Sequence, residues 1–194
     1  MAKKIGVLAL QGDFAEHLQV LSRLGACGRE VRLPEQLEGL DGLIIPGGES
    51  TTIGKLATEY GLMAPLREFA QKKPVWGTCA GAIFLSRDAR RDQPLLGLMD
   101  ITVERNAFGR QVASFEMDLP VPALQTISED NPPYHAVFIR APLIKTVKRK
   151  ARSLATLPDG RIVAAQQENL LATSFHPELT PDDRFHRYFL HLIT

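Results

Sequence analysis

Lys73-Pro74-Val75-Trp76-Gly77-Thr78-Cys79-Ala80-Gly81-Ala82-Ile83-Phe84-Leu85 is the stretch around which the chain is organised. Lys73 to Trp76 has the composition of a short buried strand that Pro74 starts. Ala80 to Leu85 has that of the first turns of a helix. A cysteine between Gly77 and Gly81 at such a junction has the G-x-nucleophile-x-G spacing of a nucleophile elbow. The turn is so tight that the central residue enters an unfavourable backbone region, and its neighbours must be small. Its sulfur then stands at the carboxyl edge of a sheet, over a helix N-terminus that favours the attacking thiolate. The same pattern also fits a small apolar cysteine packed in a core. The stretch alone leaves both readings open.

Working outward, 194 residues are expected to make one domain, 1–194. A hydrophobic share of 44% and a charged share of 23% are ordinary for a soluble protein with a real core. A net charge of +1 points to neither nucleic acid nor an anionic membrane. Two cysteines, Cys27 and Cys79, make no disulfide framework and suit a reducing, cytoplasmic setting. The apolar run Ile5 to Leu10 is too short for a signal peptide or a membrane span.

That run, from Lys4 to Leu10, is continuous enough for a parallel strand covered on both faces. Asp13 is placed to cap a helix carrying Phe14, Leu18, Leu21 and Leu24, closed by Gly25. Val31 to Leu33 and Gly42 to Ile45 are expected as strands. Ser50-Thr51-Thr52 opens a helix towards Tyr60, and a further helix, Leu62 to Gln71, leads into the elbow. Short turns between alternating elements indicate an α/β fold, an open, mostly parallel, flavodoxin-like sheet with flanking helices.

The second half is richer in strands. They are expected at 101–104, 112–119, 136–139, 144–147, 153–157, 161–166 and 170–175, which adds antiparallel strands to the sheet. Pro158-Asp159-Gly160 has hairpin-turn chemistry. A terminal helix from Pro181 to Ile193 puts Phe185, Tyr188, Phe189 and Leu192 on one face. The longest loop is expected at Ile127 to Pro133.

A cysteine nucleophile needs a base. His17, His186 and His191 fall on expected helices and read most simply as surface or core-edge residues. His135, beside Pro132-Pro133, carries little weight. His176 follows the strand 170–175, at the sheet edge where α/β folds place functional groups. Pro177 holds His176 extended, and residues two apart in extended chain point the same way, so Glu178 can orient the imidazole. The simpler alternative is a strand-to-loop turn with a surface glutamate. Pro46-Gly47-Gly48-Glu49-Ser50-Thr51-Thr52 can present backbone N–H groups to an anion such as an oxyanion, or be a glycine turn with a hydroxyl cap. The glycines lack a following Gly-Lys-Ser/Thr, which disfavours a phosphate loop. The basic run Lys145 to Arg152 reads as a solvated hairpin face, and Cys27 as structural. No cluster has metal-ligand spacing, so no metal is expected.

Together these residues resemble the triad-type (class I) glutamine amidotransferases. Within that group the chain is similar to the glutaminase subunits of pyridoxal 5′-phosphate synthase. The resemblance runs through 6–12, 46–52, 77–81, 104–111, 138–142 and 174–179. The elbow and His176-Pro177-Glu178 carry the wider group. Arg105-Asn106-Ala107-Phe108-Gly109-Arg110-Gln111 and Phe138-Ile139-Arg140-Ala141-Pro142 narrow it, whereas Leu119 to Tyr134 matches no pattern.

The resemblance implies a role for each position. Cys79 attacks the side-chain amide of L-glutamine and forms a thioester, His176 moves the protons, and Glu178 holds His176. Backbone N–H groups at Gly48 and Ala80 form the oxyanion hole. Gly48, Glu49, Ser50, Arg105, Ile139 and Arg140 hold the substrate, the arginines matching an α-carboxylate. It also implies a synthase subunit as protein partner in a hetero-oligomer. Pyridoxal phosphate is then a product of the complex and not a cofactor of this chain. A glutaminase serving another synthase is disfavoured by the 105–111 stretch, and a non-catalytic relative by the presence of all three triad members. Because glycine peptides flip at little steric cost, the Gly47-Gly48 turn near Gln11 is expected to complete its oxyanion donor only when the partner docks.

Overall fold

Successive side chains of a strand point to opposite faces, so a strand apolar at every position must be covered on both sides. In the computed structural model, which describes residues 2–105 and 114–193, the first half of the chain builds such a layer. It contains β1 (Lys4–Leu8), α1 (Phe14–Arg23), β2 (Cys27–Val31), β3 (Gly42–Ile45), α2 (Ser50–Glu59), α3 (Met63–Lys72), β4 (Val75–Thr78) and α4 (Ala80–Leu85). The second half adds β5 (Ser86–Asp88), β6 (Met99–Glu104), β7 (Ser114–Leu119), β8 (Tyr134–Ile139), β9 (Leu143–Val147), β10 (Arg152–Thr156), β11 (Ile162–Gln167), β12 (Leu170–Thr173) and α5 (Arg184–His191).

Among the described residues, ten strands share one sheet in the order β2-β1-β3-β4-β12-β11-β9-β6-β5, with β10 on β11. The first five in that order run parallel. β11 is antiparallel to β12, β9 to β11 and β6 to β9, β5 is parallel to β6, and β7 pairs with β8 separately. The order β2-β1-β3-β4 is that of flavodoxin-like sheets, and the α/β expectation with extra antiparallel strands holds.

Alternation divides the core in two. Leu43, Ile45 and Val75 face Ile53, Leu66 and Phe84 from α2, α3 and α4. Ile44 and Trp76, one residue along, face Leu21 of α1 and Phe185 and Phe189 of α5. Trp76 is fully buried, with Phe185 and Phe189 ring centroids 6.3 and 5.7 Å away.

Several boundaries differ from expectation. The second strand is Cys27–Val31, not Val31 to Leu33, because Pro34 begins a 3₁₀ turn that ends at Leu37. The last helix starts at Arg184 and not Pro181, since the Asp182 carboxylate accepts the Arg184 backbone N–H at 3.1 Å. A 3₁₀ turn at Pro122–Thr126 occupies part of the stretch that matched no pattern. β5 was not foreseen. Residues 106–113, which include most of the 104–111 motif and the start of the expected 112–119 strand, lie outside the described residues.

Phe189 has no exposed surface and sits at the centre of the α5 contact. Phe189→Ala is expected to cost about 3–5 kcal/mol in chemical denaturation. A loss below about 1 kcal/mol contradicts this account of the second core.

Candidate active site

The elbow has the backbone its spacing demands. Cys79 has φ 47° and ψ −105°, outside the regions open to ordinary side chains. A Cβ at position 81 would lie 1.9 Å from the Ile45 carbonyl oxygen, and one at 77 would lie 2.4 Å from that of Gly81. Both positions therefore need glycine. The Cys79 N–H donates to the Thr173 carbonyl at 2.8 Å, which ties the turn to β12. Cys79 is buried yet opens onto a cavity of about 460 Å³.

His176 leaves the end of β12, and its N–H donates to the Val137 carbonyl at 2.8 Å. The chain then enters a 3₁₀ turn, Pro177–Leu179, instead of staying extended as expected. The turn still brings Glu178 back onto the ring, with His176 Nδ1 to Glu178 Oε1 at 2.6 Å. That leaves Nε2 as the ring nitrogen that can meet the Cys79 side chain, which lines the same cavity. Burial opposes a charged His176, but hydrogen bonds and charge at Cys79 and Glu178 outweigh it and push the imidazole up to about 11. Burial likewise raises Glu178, against the pull of the His176 hydrogen bond and charge.

Asp13 was expected as a helix cap. It makes no side-chain cap; its Oδ2 lies 3.4 Å from His176 Nδ1. Asp13, His176 and Glu178 thus bring ligand-type atoms within 4.8 Å of one another, a cluster that sequence spacing did not reveal. Its nitrogen is already engaged with Glu178.

Gly48, Glu49, Ser50, Ala80, Arg105, Ile139 and Arg140 line the same cavity as Cys79 and His176. Glu178 stands behind His176 and does not line it. α2 is capped not by a hydroxyl but by the Glu49 carboxylate, which accepts from Thr51 N at 3.3 Å and Thr52 N at 2.7 Å. Arg105 Nη2 donates to Glu49 Oε1 at 2.8 Å and Nη1 to Thr51 Oγ1 at 3.1 Å. Burial works to raise Glu49, but the hydrogen bonds of Thr52, Thr51 and Arg105 overcome it and hold the carboxyl at about 2. Ile139 and Arg140 stand on the rim, Arg140 with a left-handed φ of 43°. Gln11 Oε1 accepts the Glu49 backbone N–H at 2.6 Å, and the Gly47 carbonyl accepts the Asp13 N–H at 3.1 Å.

Two histidines read as surface or core-edge residues are fully within the core: His17 and His186 have no exposed surface. The signal was present, since His17 lies three residues after Phe14 and four before Leu21, and His186 three before Phe189. His135 is exposed in β8 between Asp118 at 2.8 Å and Glu116 at 3.0 Å. Cys27 is exposed, against its structural reading, because β2 is an edge strand. In the basic run, Lys145 pairs with Glu104 and Lys150 with Glu168, as a solvated face would. Among the described residues no helix is long and apolar enough to cross a membrane.

Comparison with known proteins adds three findings. The SNO glutamine amidotransferase family matches residues 7–194. A relative from Roseiflexus sp. (strain RS-1), named "Pyridoxal 5′-phosphate synthase subunit PdxT", is 57% identical over 190 residues, covering 96% of this chain and 98% of its own. A solved structure titled "Crystal structure of glutamine amidotransferase" superposes with a TM-score of 0.90 at 51% identity, covering 97% of this chain and 98% of that one.

His176, held up to about 11, is expected to keep its proton well past pH 8 in a histidine NMR titration. Its contribution to stability is full below 6.5 and is lost as pH rises through about 11. In Cys79→Ala the first of the raising influences is gone, so His176 titrates lower. Loss of the His176 proton near 6.5 in the parent protein contradicts this electrostatic picture.

Proposed function

Because this chain belongs to the SNO glutamine amidotransferase family, we propose that it is the glutaminase subunit of a pyridoxal 5′-phosphate synthase. It hydrolyses L-glutamine to L-glutamate and ammonia. It delivers the ammonia to a synthase subunit within a hetero-oligomer. The whole chain, 1–194, acts as one glutaminase domain in the cytoplasm, where its free thiols stay reduced. The observation that carries the reading is the line Cys79–His176–Glu178, with the first two members on one cavity.

The Cys79 sulfur attacks the side-chain amide carbon, with its proton on His176. Negative charge develops on the amide oxygen, and the Gly48 and Ala80 N–H groups receive it. Collapse expels the amine, which takes the His176 proton and leaves as ammonia. The raised imidazole supports this step. Hydrogen bonding and charge at Cys79 hold the proton on His176 before attack. Once the sulfur is bonded to carbon in the tetrahedral intermediate that hold is gone, and His176 is acid enough to protonate the departing amine, which leaves it neutral. It then takes a proton from water, hydroxide attacks the thioester, and glutamate departs. Glu178 keeps the ring in one tautomer throughout.

Substrate recognition follows from the charges at the rim. Glutamine carries an α-ammonium and an α-carboxylate, and Glu49, Arg105 and Arg140 offer complementary groups. The Glu49–Arg105 pair keeps both in place before substrate arrives. Ser50 and Ile139 complete the wall. The Gly47-Gly48 peptide, anchored through Asp13 and neighboured by Gln11, is the switch that the synthase subunit sets.

The test is ammonia release from glutamine, with and without a purified synthase subunit. Activity is expected to rise at least about tenfold on adding the partner, within the range of one oxyanion donor. Cys79→Ala is expected to abolish hydrolysis while retaining fold and partner binding. His176→Asn should be nearly as damaging and Glu178→Gln less so, since the latter leaves the base in place. Full activity of the isolated chain, unchanged by the partner, contradicts the gating. Substantial turnover in Cys79→Ala contradicts the nucleophile.

A further inference from the structure

Behind the triad lies a second layer of buried imidazoles that the chemistry above does not use. His17 Nδ1 is 3.0 Å from His186 Nε2. His17 Nε2 is 3.3 Å from Thr78 Oγ1 and 3.3 Å from Glu178 Oε2. Trp76 fixes both rings edge-on, with centroids 5.8 Å from His17 and 4.9 Å from His186. Glu178 Oε2 has no aligned hydrogen bond among the described residues, and neither has His186 Nδ1.

Each ring carries one proton. Burial, with the charges of His186 and His176, holds His17 well below its ordinary value. Burial, with the charge of Arg23, holds His186 down to about 3. Two tautomer arrangements satisfy the 3.0 Å contact. If His17 donated from Nδ1, its bare Nε2 would face the Glu178 carboxylate, and His186 Nδ1–H would be a buried orphan donor. If His186 donates from Nε2 to His17 Nδ1, the His17 Nε2–H faces Glu178 and Thr78. Of the four ring nitrogens, the one left unpartnered is then an acceptor, the lone pair on His186 Nδ1. Unpaired buried N–H groups are rarer than under-satisfied acceptors, so the second arrangement holds.

We propose that His17 is a positioning residue, held by His186 as the Nε2-protonated tautomer, that keeps the Glu178 carboxylate in line with His176. The Nε2–H is aimed at Thr78 Oγ1 and passes Glu178 Oε2 at 3.3 Å. In this proposal the Glu178 carboxylate turns to accept that N–H. His17 touches neither substrate nor sulfur; it acts through Glu178. This rests on the glutaminase reading above, and ammonia release by the parent complex tests that reading separately.

The other groups facing Glu178 are His176 on its own turn, Asp13 ahead of α1, and Tyr134 from β8. These are unchanged in a His17 variant. A donor to the charged carboxylate lowers its pKa, so removing that donor raises Glu178. The acid limb of kcat/KM then moves to higher pH.

The experiment compares His17→Gln, His17→Asn and His17→Leu in the complex with the synthase subunit. Glutamine places an amide N–H near the position of Nε2. Asparagine reaches only the position of Nδ1, towards His186. His17→Leu and His17→Asn are expected to lose about tenfold in kcat with KM little changed, the size of one hydrogen bond lost from the transition state. Their acid limbs should rise by about one unit, as loss of one donor predicts. His17→Gln should keep most of kcat and the parent limb. If His17→Leu does not fold, the Gln and Asn pair carries the test. Equal loss in Gln and Asn with an unmoved acid limb, or parent activity in Asn, overturns the proposal.

Discussion

The backbone at Cys79 is the constraint on which the site depends. A non-glycine residue at φ 47° and ψ −105° costs of order 1–3 kcal/mol. It persists because β4 and α4 are each packed into the core and leave no slack between them. The price appears locally, as two glycines where a Cβ would strike a carbonyl. In return the sulfur leaves the end of the sheet at a fixed point. β4 lies between β3 and β12, with neighbouring strands about 5 Å apart. β3 delivers the Gly47-Gly48 turn and β12 delivers His176. Three motifs remote in the chain thus meet at one edge, because their strands are neighbours and parallel.

Electrostatics completes what the topology begins. A buried imidazole and a buried carboxylate are each costly alone, and together they hold a proton between them. The 3₁₀ turn at Pro177 makes this compact, since Pro177 alone separates the partners. The second layer of histidines lies on the α1 and α5 side of the sheet, beneath the triad. The core cluster around Trp76 is therefore both packing and the floor of the site.

Much of this was legible in the residues. The elbow, the two flanking turns and His176-Pro177-Glu178 have spacings that few other structures tolerate, and the parallel strands are apolar throughout. What was missed has physical reasons. β5 is three residues, Ser86–Asp88, with two of them exposed, so it has no pattern to read. Asp13 satisfied a helix-capping pattern, and only the fold brings its carboxylate to His176. His17 and His186 were judged by polarity, although their helical spacing from Phe14, Leu21 and Phe189 places them on apolar stripes. Glu49 and Arg105 were each assigned to substrate, and their pairing with one another depends on contacts across 56 positions of sequence.

The central claim is that the elbow, and not thiol exposure, decides which cysteine reacts. Cys27 is exposed and Cys79 is buried, so simple accessibility favours Cys27. The direct measurement is peptide mapping by mass spectrometry after treating the complex with a glutamine-analogue chloroketone. The account predicts one adduct, on Cys79, suppressed by excess L-glutamine. Equal labelling of Cys27, or labelling of Cys79 that glutamine does not suppress, contradicts it.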